Sequence, residues 1–279
     1  MGSDLNRPGN ASPLPLIDDW GATFAAGAVA RAGSVLATHG DTTHVTRVAS
    51  ITKLATAWAV LLAVEEGATA FDRPLGPPGS TVLHVLCHAS GLDFETDAVL
   101  ARPAQRRIYS NTGYELLATH IEDETGIDFA AYLAEGVLEP LGMASSELRG
   151  SPAKDLWSDV EDMLRLAGEL RSPTVVHPDT AATARTPQFP DLVGVLPGWG
   201  RQDPCWWGLG PELRAAKLPH WTGATASPLT YGHFGGSGTF LWTDPEADLT
   251  CVVLTDREFD DWAVAAWPPF SDAVRAAYS

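Results

Sequence analysis

The chain has 279 residues, 45% of them apolar and 19% charged, with a formal charge of −17 at pH 7. That length and balance predict a folded globule with a sizeable core and exclude a disordered chain. The acidic surplus repels phosphate backbones and anionic bilayers, so neither nucleic acid nor a membrane is an expected partner.

The opening stretch, MGSDLNRPGNASPLPL, lacks the cationic start and continuous apolar core of a secretion signal, which makes the cytoplasm the expected location. Cys87, Cys205 and Cys251 are odd in number, far apart and without a CxxC spacing, so three reduced, packed thiols are expected. Next, ATFAAGAVARAG and SVLATHG read as two strands joined at Gly33. Between Ser50 and Gly67, residues Leu54, Trp58, Leu61, Leu62 and Val64 recur at helical spacing, and LATAWAVLLAV has the length of a buried helix rather than a membrane span. The middle third carries helical patterns in STVLHVLCHASG, TGYELLATHIEDETG, DFAAYLAEGVLEPLG and SDVEDMLRLAGEL, set apart by Gly and Pro. From about residue 187, Gly, Pro and Trp become frequent, and then GHFGGSGTFLWTD and DLTCVVLTD alternate like paired strands. The last segment, DDWAVAAWPPFSDAVRAAYS, is expected to be a helix interrupted by Pro268 and Pro269.

Three constellations carry chemistry. In Ser50-x-x-Lys53, residues three apart share a helix face, which places the amine within reach of the hydroxyl and permits nucleophilic attack by Ser50 with Lys53 as its base. The lysine must then be neutral, with a pKa far below the reference of ~10.4. The competing reading makes Ser50 a helix cap and Lys53 a solvated charge. In RRIYSNTGYELLA, Tyr109 can shuttle a proton and the Asn111 amide can hold a carbonyl or orient Lys53. The alternative there is a Thr112–Glu115 capping box, with Tyr109 as packing. In GHFGGSGTFLW, four glycines between Gly232 and Gly238 allow close approach to the backbone around His233 and Gly235; a glycine-rich sheet bend is the rival.

With SxxK, YxN and HxG occurring in that order on a helix start, a loop and a strand, the chain resembles the serine β-lactamase and penicillin-binding-protein superfamily. The resemblance is to its class C β-lactamase-like esterases and peptidases. Beyond the motifs, VASITKLATAWAVLLAVEEG looks like that family's nucleophile helix and TVLHVLCHASGL like its LLTHTSGL segment. The long stretch from YSNTGYELLATH to EPLGM resembles the helix pair after its tyrosine motif, and YGHFGGSGTFLWTDPEADLTCVVLTD its active-site strand and the next one.

The resemblance implies an α+β, β-lactamase-like fold: an antiparallel sheet flanked by helices, with an inserted, mainly helical lobe. It implies one catalytic domain over 1–279, with an α/β lobe at about 15–75 and 187–279 and a helical lobe at about 76–186. Ser50 would form the acyl-enzyme, Lys53 and Tyr109 would share general-base and general-acid work, and Asn111 would contact substrate or order the lysine. His233 and Gly235 would line the site opposite the helix, and the backbone N–H groups of Ser50 and Gly236 would form the oxyanion hole. The implied reaction is ester hydrolysis through an acyl-serine, with amides or lactones as further substrates. Acyl transfer, β-lactam or D-amino-acid peptide cleavage, and a silent ligand-binding role on the same fold are alternatives.

Family members that act on β-lactams and cell-wall peptides usually carry Lys in the third motif, whereas esterases and some peptidases or acyltransferases carry HxG; this chain has His233, mostly neutral near pH 7. The stretch between the SGL segment and Tyr109 is short, so a loop that roofs the site is expected to be trimmed. Trp199, Trp206, Trp207 and Trp221 either wall an apolar acyl pocket or pack a junction between lobes. His84 and His88 lie four apart but lack an accompanying Glu, so no metal is expected. The acidic HIEDETG reads as a solvated helix end. No cofactor is expected, the expected partner is a small acyl substrate, and the oligomeric state is left open.

Overall fold

The computed structural model describes residues 11–279; residues 1–10, where most of the opening stretch lies, fall outside the described residues. A 3-10 turn at Leu14–Trp20 leads to strands β1 (Ala25–Arg31), β2 (Ser34–His39) and β3 (Thr46–Arg47). Helices α1 (Thr52–Glu65), α2 (Val82–Leu86), α3 (Asn111–Thr125) and α4 (Phe129–Leu133) follow, the last continuing as a π turn over Ala134–Leu138. Short strands β4 (Glu147–Leu148) and β5 (Leu156–Ser158) precede α5 (Val160–Arg171) and α6 (Pro178–Ala184). The chain then returns to strands β6 (Gly194–Leu196), β7 (Gly200–Gln202), β8 (Glu212–Leu213), β9 (Tyr231–Gly235), β10 (Thr239–Asp244) and β11 (Leu249–Thr255), and ends in α7 (Asp261–Tyr278).

The main sheet has six strands in the order β2-β1-β11-β10-β9-β8, antiparallel throughout, so both ends of the chain build it. Side chains alternate between its faces, as the two-residue period of a strand requires. Val252 and Leu254 of β11 join a core with α1, α3 and α5, while Cys251 and Val253 point into a second cluster with Trp20, Phe240, Trp242 and Trp267. The α1 helix is buried on every side from Thr52 to Leu61, which fits its mainly apolar sequence and makes Lys53 the one charged residue in that stretch.

One local expectation is corrected, and two competing local readings are set aside. Pro268 and Pro269 do not interrupt the last helix; α7 runs through them for 18 residues. The prolines remove the donors that would bond the carbonyls of Val264 and Ala265, and the buried Trp267 and Phe270 beside them hold the helix on the aromatic cluster instead. The cap of α3 is not a Thr112–Glu115 box: the Ser110 hydroxyl accepts from the Gly113 N–H at 3.0 Å. Ser50 does not cap α1 either. It sits in a 3-10 turn, Ala49–Ile51, and no side chain caps the following helix.

Candidate active site

The turn that presents Ser50 is fixed from several directions. Ala49 has φ +47°, a left-handed conformation that costs an alanine roughly 1–2 kcal/mol. The turn is held against the far end of the chain: Ser237 Oγ donates to Arg47 O at 2.7 Å, and Thr239 Oγ1 to Val48 O at 2.9 Å. A Cβ on Gly235 would lie 2.4 Å from Val48 O and 3.0 Å from the Ala49 Cβ, so only glycine lets β9 lie against this turn. Gly235 therefore acts through the position of Ser50, and Gly236 follows it at the rim of the same cavity.

One turn into the helix, the Lys53 amine is fully buried. It donates to Asn111 Oδ1 at 2.5 Å and to Ala153 O at 2.8 Å, and its third neighbour is Ser50 Oγ at 3.4 Å. A neutral amine has two hydrogens and one lone pair, which matches two acceptors and one hydroxyl. Burial drives the Lys53 pKa well below the usual lysine range, partly offset by the Glu95 carboxylate. Glu95 belongs to the same chain of contacts: Asn111 Nδ2 donates to it at 2.7 Å and Lys154 pairs with it at 3.1 Å.

Across the cavity, Tyr109 O–H faces His233 Nε2 at 3.4 Å, while His233 Nδ1 donates to Phe234 O at 2.7 Å. That second bond fixes the tautomer, so Nε2 is an acceptor and the phenol is the donor. Burial pushes the His233 pKa down to about 3, so the imidazole is neutral at any physiological pH. Burial also pushes the Tyr109 phenol far above its ordinary value, against a smaller lowering by the Ser50 hydroxyl. Tyr109 is thus held as a protonated donor, while burial shifts Lys53 towards its neutral form.

Ser50, Tyr109, His233 and Gly236 line one cavity of about 140 Å³, walled by Trp207, Phe234 and Phe259. Lys53 and Asn111 lie behind Ser50 and Gly235 behind the turn, so the structure brings together all seven residues singled out in the sequence. Of the four tryptophans, Trp207 alone lines this cavity; Trp199 and Trp221 are buried in the aromatic cluster, and Trp206 packs against the helical core. His84 and His88 do not share a helix face, because α2 ends at Leu86 and His88 has φ +59°. His84 stacks on Phe189, and His88 packs under Tyr109 with ring centroids 4.5 Å apart.

Sequence reasoning missed Glu212, a fully buried carboxylate in the cavity wall. It accepts from Lys217 Nζ at 2.5 Å, His220 Nε2 at 2.9 Å and Trp221 Nε1 at 2.5 Å. Burial alone would raise its pKa, but Lys217 and then His220 hold it well below the usual carboxylate range. The signal for it was a short run of charge, ELRAAKLPH, enclosed by tryptophans.

A family model described as Beta-lactamase matches residues 21–273. The chain belongs to the beta-lactamase family. Members of this family are generally serine hydrolases, and the geometry above is that of a beta-lactamase-fold serine hydrolase. A solved beta-lactamase from Mycobacterium bovis is 51% identical, with a TM-score of 0.93 over 95% of this chain and 99% of that one. EstCE1, titled a hydrolase with promiscuous acyltransferase activity, shares the fold at TM-score 0.79 and 17% identity over 95% of this chain and 96% of that one. Simvastatin synthase from Aspergillus terreus does so at 0.77 and 16%, over 96% of each chain. Among curated proteins, the Escherichia coli (strain K12) "Putative D-alanyl-D-alanine carboxypeptidase" is 24% identical over 56% of this chain; the chain spans about half the length of that relative. No helix among the described residues of this family member is long and apolar enough to cross a membrane.

Proposed function

We propose that the protein is a serine esterase that works through an acyl-Ser50 intermediate. The observation that carries this reading is the placement of Lys53: its buried amine lies 3.4 Å from Ser50 Oγ, and burial lowers its pKa, so its neutral form is within reach of the Ser50 proton. In the first step, Ser50 Oγ bonds to the ester carbonyl carbon as its proton passes to Lys53 Nζ. The developing oxyanion meets the N–H groups of Ser50 and Gly236, and each such donor is worth about 3 kcal/mol in the transition state. Collapse breaks the bond to the alcohol oxygen, which takes the Tyr109 proton as it leaves; the proton on Lys53 then restores the phenol. Water repeats the sequence in reverse to free the acid and Ser50.

Esters are favoured over penicillins because the third motif offers a neutral imidazole where a substrate carboxylate would need a fixed cation. The reading includes one catalytic domain, a small acyl substrate as partner and a cytoplasmic setting, supported by the charge of −17 and three free, buried thiols. A fluorophosphonate probe is expected to add covalently to Ser50 and to leave Ser50→Ala unlabelled. A panel of p-nitrophenyl esters, nitrocefin and D-amino-acid amides is expected to show turnover of the esters first. An intact protein that takes no label while a control esterase does would overturn the proposal.

A second reading, acyl transfer to an alcohol, is favoured by the apolar lining of the cavity, which disfavours water as the acceptor. Partitioning of product between acid and new ester, measured with added alcohol, separates the two.

A further inference from the structure

The catalytic cavity opens into a second, larger space. A groove of about 680 Å³ runs outward from Tyr109, Phe94 and Pro197, the three residues that also line the cavity around Ser50. Its walls are Leu100, Ile108, Val193 and Val195, and its rim carries Arg106 and Arg201. Phe94, Leu100 and Val195 are 47%, 48% and 65% exposed, an unusual concentration of large apolar side chains on one surface. The groove is preformed, because Arg107 and Gly194 pair as a parallel bridge beneath it and Arg107 N donates to Val193 O at 2.8 Å.

Resting on the acyl-Ser50 reading, we infer that the enzyme cleaves esters of short acids with bulky apolar alcohols, the acyl group entering the cavity and the alcohol lying in the groove. Direction follows from the position of the proton donor. The leaving oxygen must meet the Tyr109 hydroxyl, and Tyr109 is the hinge between the two spaces, so the alcohol departs along the groove side. The oxyanion donor Gly236 and the aromatic walls Phe234 and Phe259 belong to the cavity alone, which assigns the acyl side to it. Size sets the rest. A dry apolar cavity of about 150 Å³ holds one benzene, and this one has about 140 Å³. A butanoyl group fits it and an octanoyl chain does not.

Two ester series on the wild-type chain test this. With benzyl alcohol as the fixed leaving group, kcat/KM is expected to fall at least roughly tenfold from butanoyl to octanoyl, as each group that does not fit costs about that much. With acetate as the fixed acyl group, kcat/KM is expected to rise by a similar factor from the methyl to the 1-naphthylmethyl ester. Val195→Asp, at an exposed position, is expected to reduce the naphthylmethyl-to-methyl ratio, and Phe259→Ala to move the acyl optimum towards longer chains. Faster cleavage of octanoyl than butanoyl esters, or a naphthylmethyl-to-methyl ratio unmoved by Val195→Asp, overturns the assignment while leaving the acyl-serine reading intact. Absence of any ester turnover, together with absence of fluorophosphonate labelling, removes that reading and the assignment with it.

Discussion

The two sides of the cavity control protons by opposite means. On the α1 side, Lys53, Asn111, Glu95 and Lys154 form a continuous polar chain, and every hydrogen on the buried amine has a defined acceptor. On the β9 side, Tyr109, His88, Trp207 and His233 form a packed aromatic group, linked within itself by the long Tyr109–His233 contact of 3.4 Å. One side fixes a proton acceptor by counting bonds, and the other keeps its groups uncharged by excluding water. The difference teaches that a base and an acid can sit a few ångströms apart at one pH when their environments push their pKa values in opposite directions.

The comparison is broken most severely at its polar side. Lys53→Met removes the base and leaves Asn111 Oδ1 and Ala153 O without their donor, so kcat/KM is expected to drop by about a thousandfold or more. Retention of activity within tenfold in a variant that still melts cooperatively would show that the polar chain does not hold the base. Next comes the wall between the sides. Glu212→Gln strands a buried Lys217, at an expected cost of roughly 3–5 kcal/mol in urea unfolding. Because the folded pKa of Glu212 is depressed, its contribution is present above the unfolded value of about 4.3 and is lost as pH falls below it. The difference between wild type and Glu212→Gln should therefore shrink in acid, and a gap that widens there would contradict the ion pair.

The aromatic side is probed by smaller changes. Tyr109→Phe keeps the packing and deletes the donated proton, with an expected loss of about a hundredfold in kcat and little change in KM. The pH profile should show a single alkaline-rising limb as Lys53 loses its proton, with its midpoint below the ordinary lysine value. His233, held at about 3, should contribute no limb between about pH 5 and 8, where an unperturbed imidazole titrates. His233→Gln is the smallest perturbation: it should lower the rate modestly while leaving the shape of that profile unchanged, and a limb near neutrality that disappears in this variant would place a titrating imidazole in the mechanism.

Legibility in the sequence followed the same division. Ser50 and Lys53 share a helix turn, and Tyr109 and Asn111 share a loop, so spacing and motif order were enough to propose that they meet. Five strands of the main sheet were visible because alternation and β-branched residues mark them, while β8, two residues long, carries no such pattern. Glu95 and Glu212 were not visible, since each meets its partners through folded loops that no period describes. The prolines of α7 misled for a related reason: local propensity reports the cost of a missing hydrogen bond, and the buried aromatic residues that offset it come from elsewhere in the chain. At the Ser50 turn, the serine looked like a cap because the tie that holds the turn, from Ser237 and Thr239, arrives 190 and 191 residues later.

That tie has a consequence for how the enzyme comes into being. The turn bearing the nucleophile is made early in synthesis, but the hydroxyls that hold it belong to a hairpin near the other terminus. Until that hairpin has emerged and paired, the serine's turn lacks the two hydrogen bonds that tie it down. A chain cut before that hairpin would carry its nucleophile inert, and reactivity would itself report that the hairpin had been made and paired.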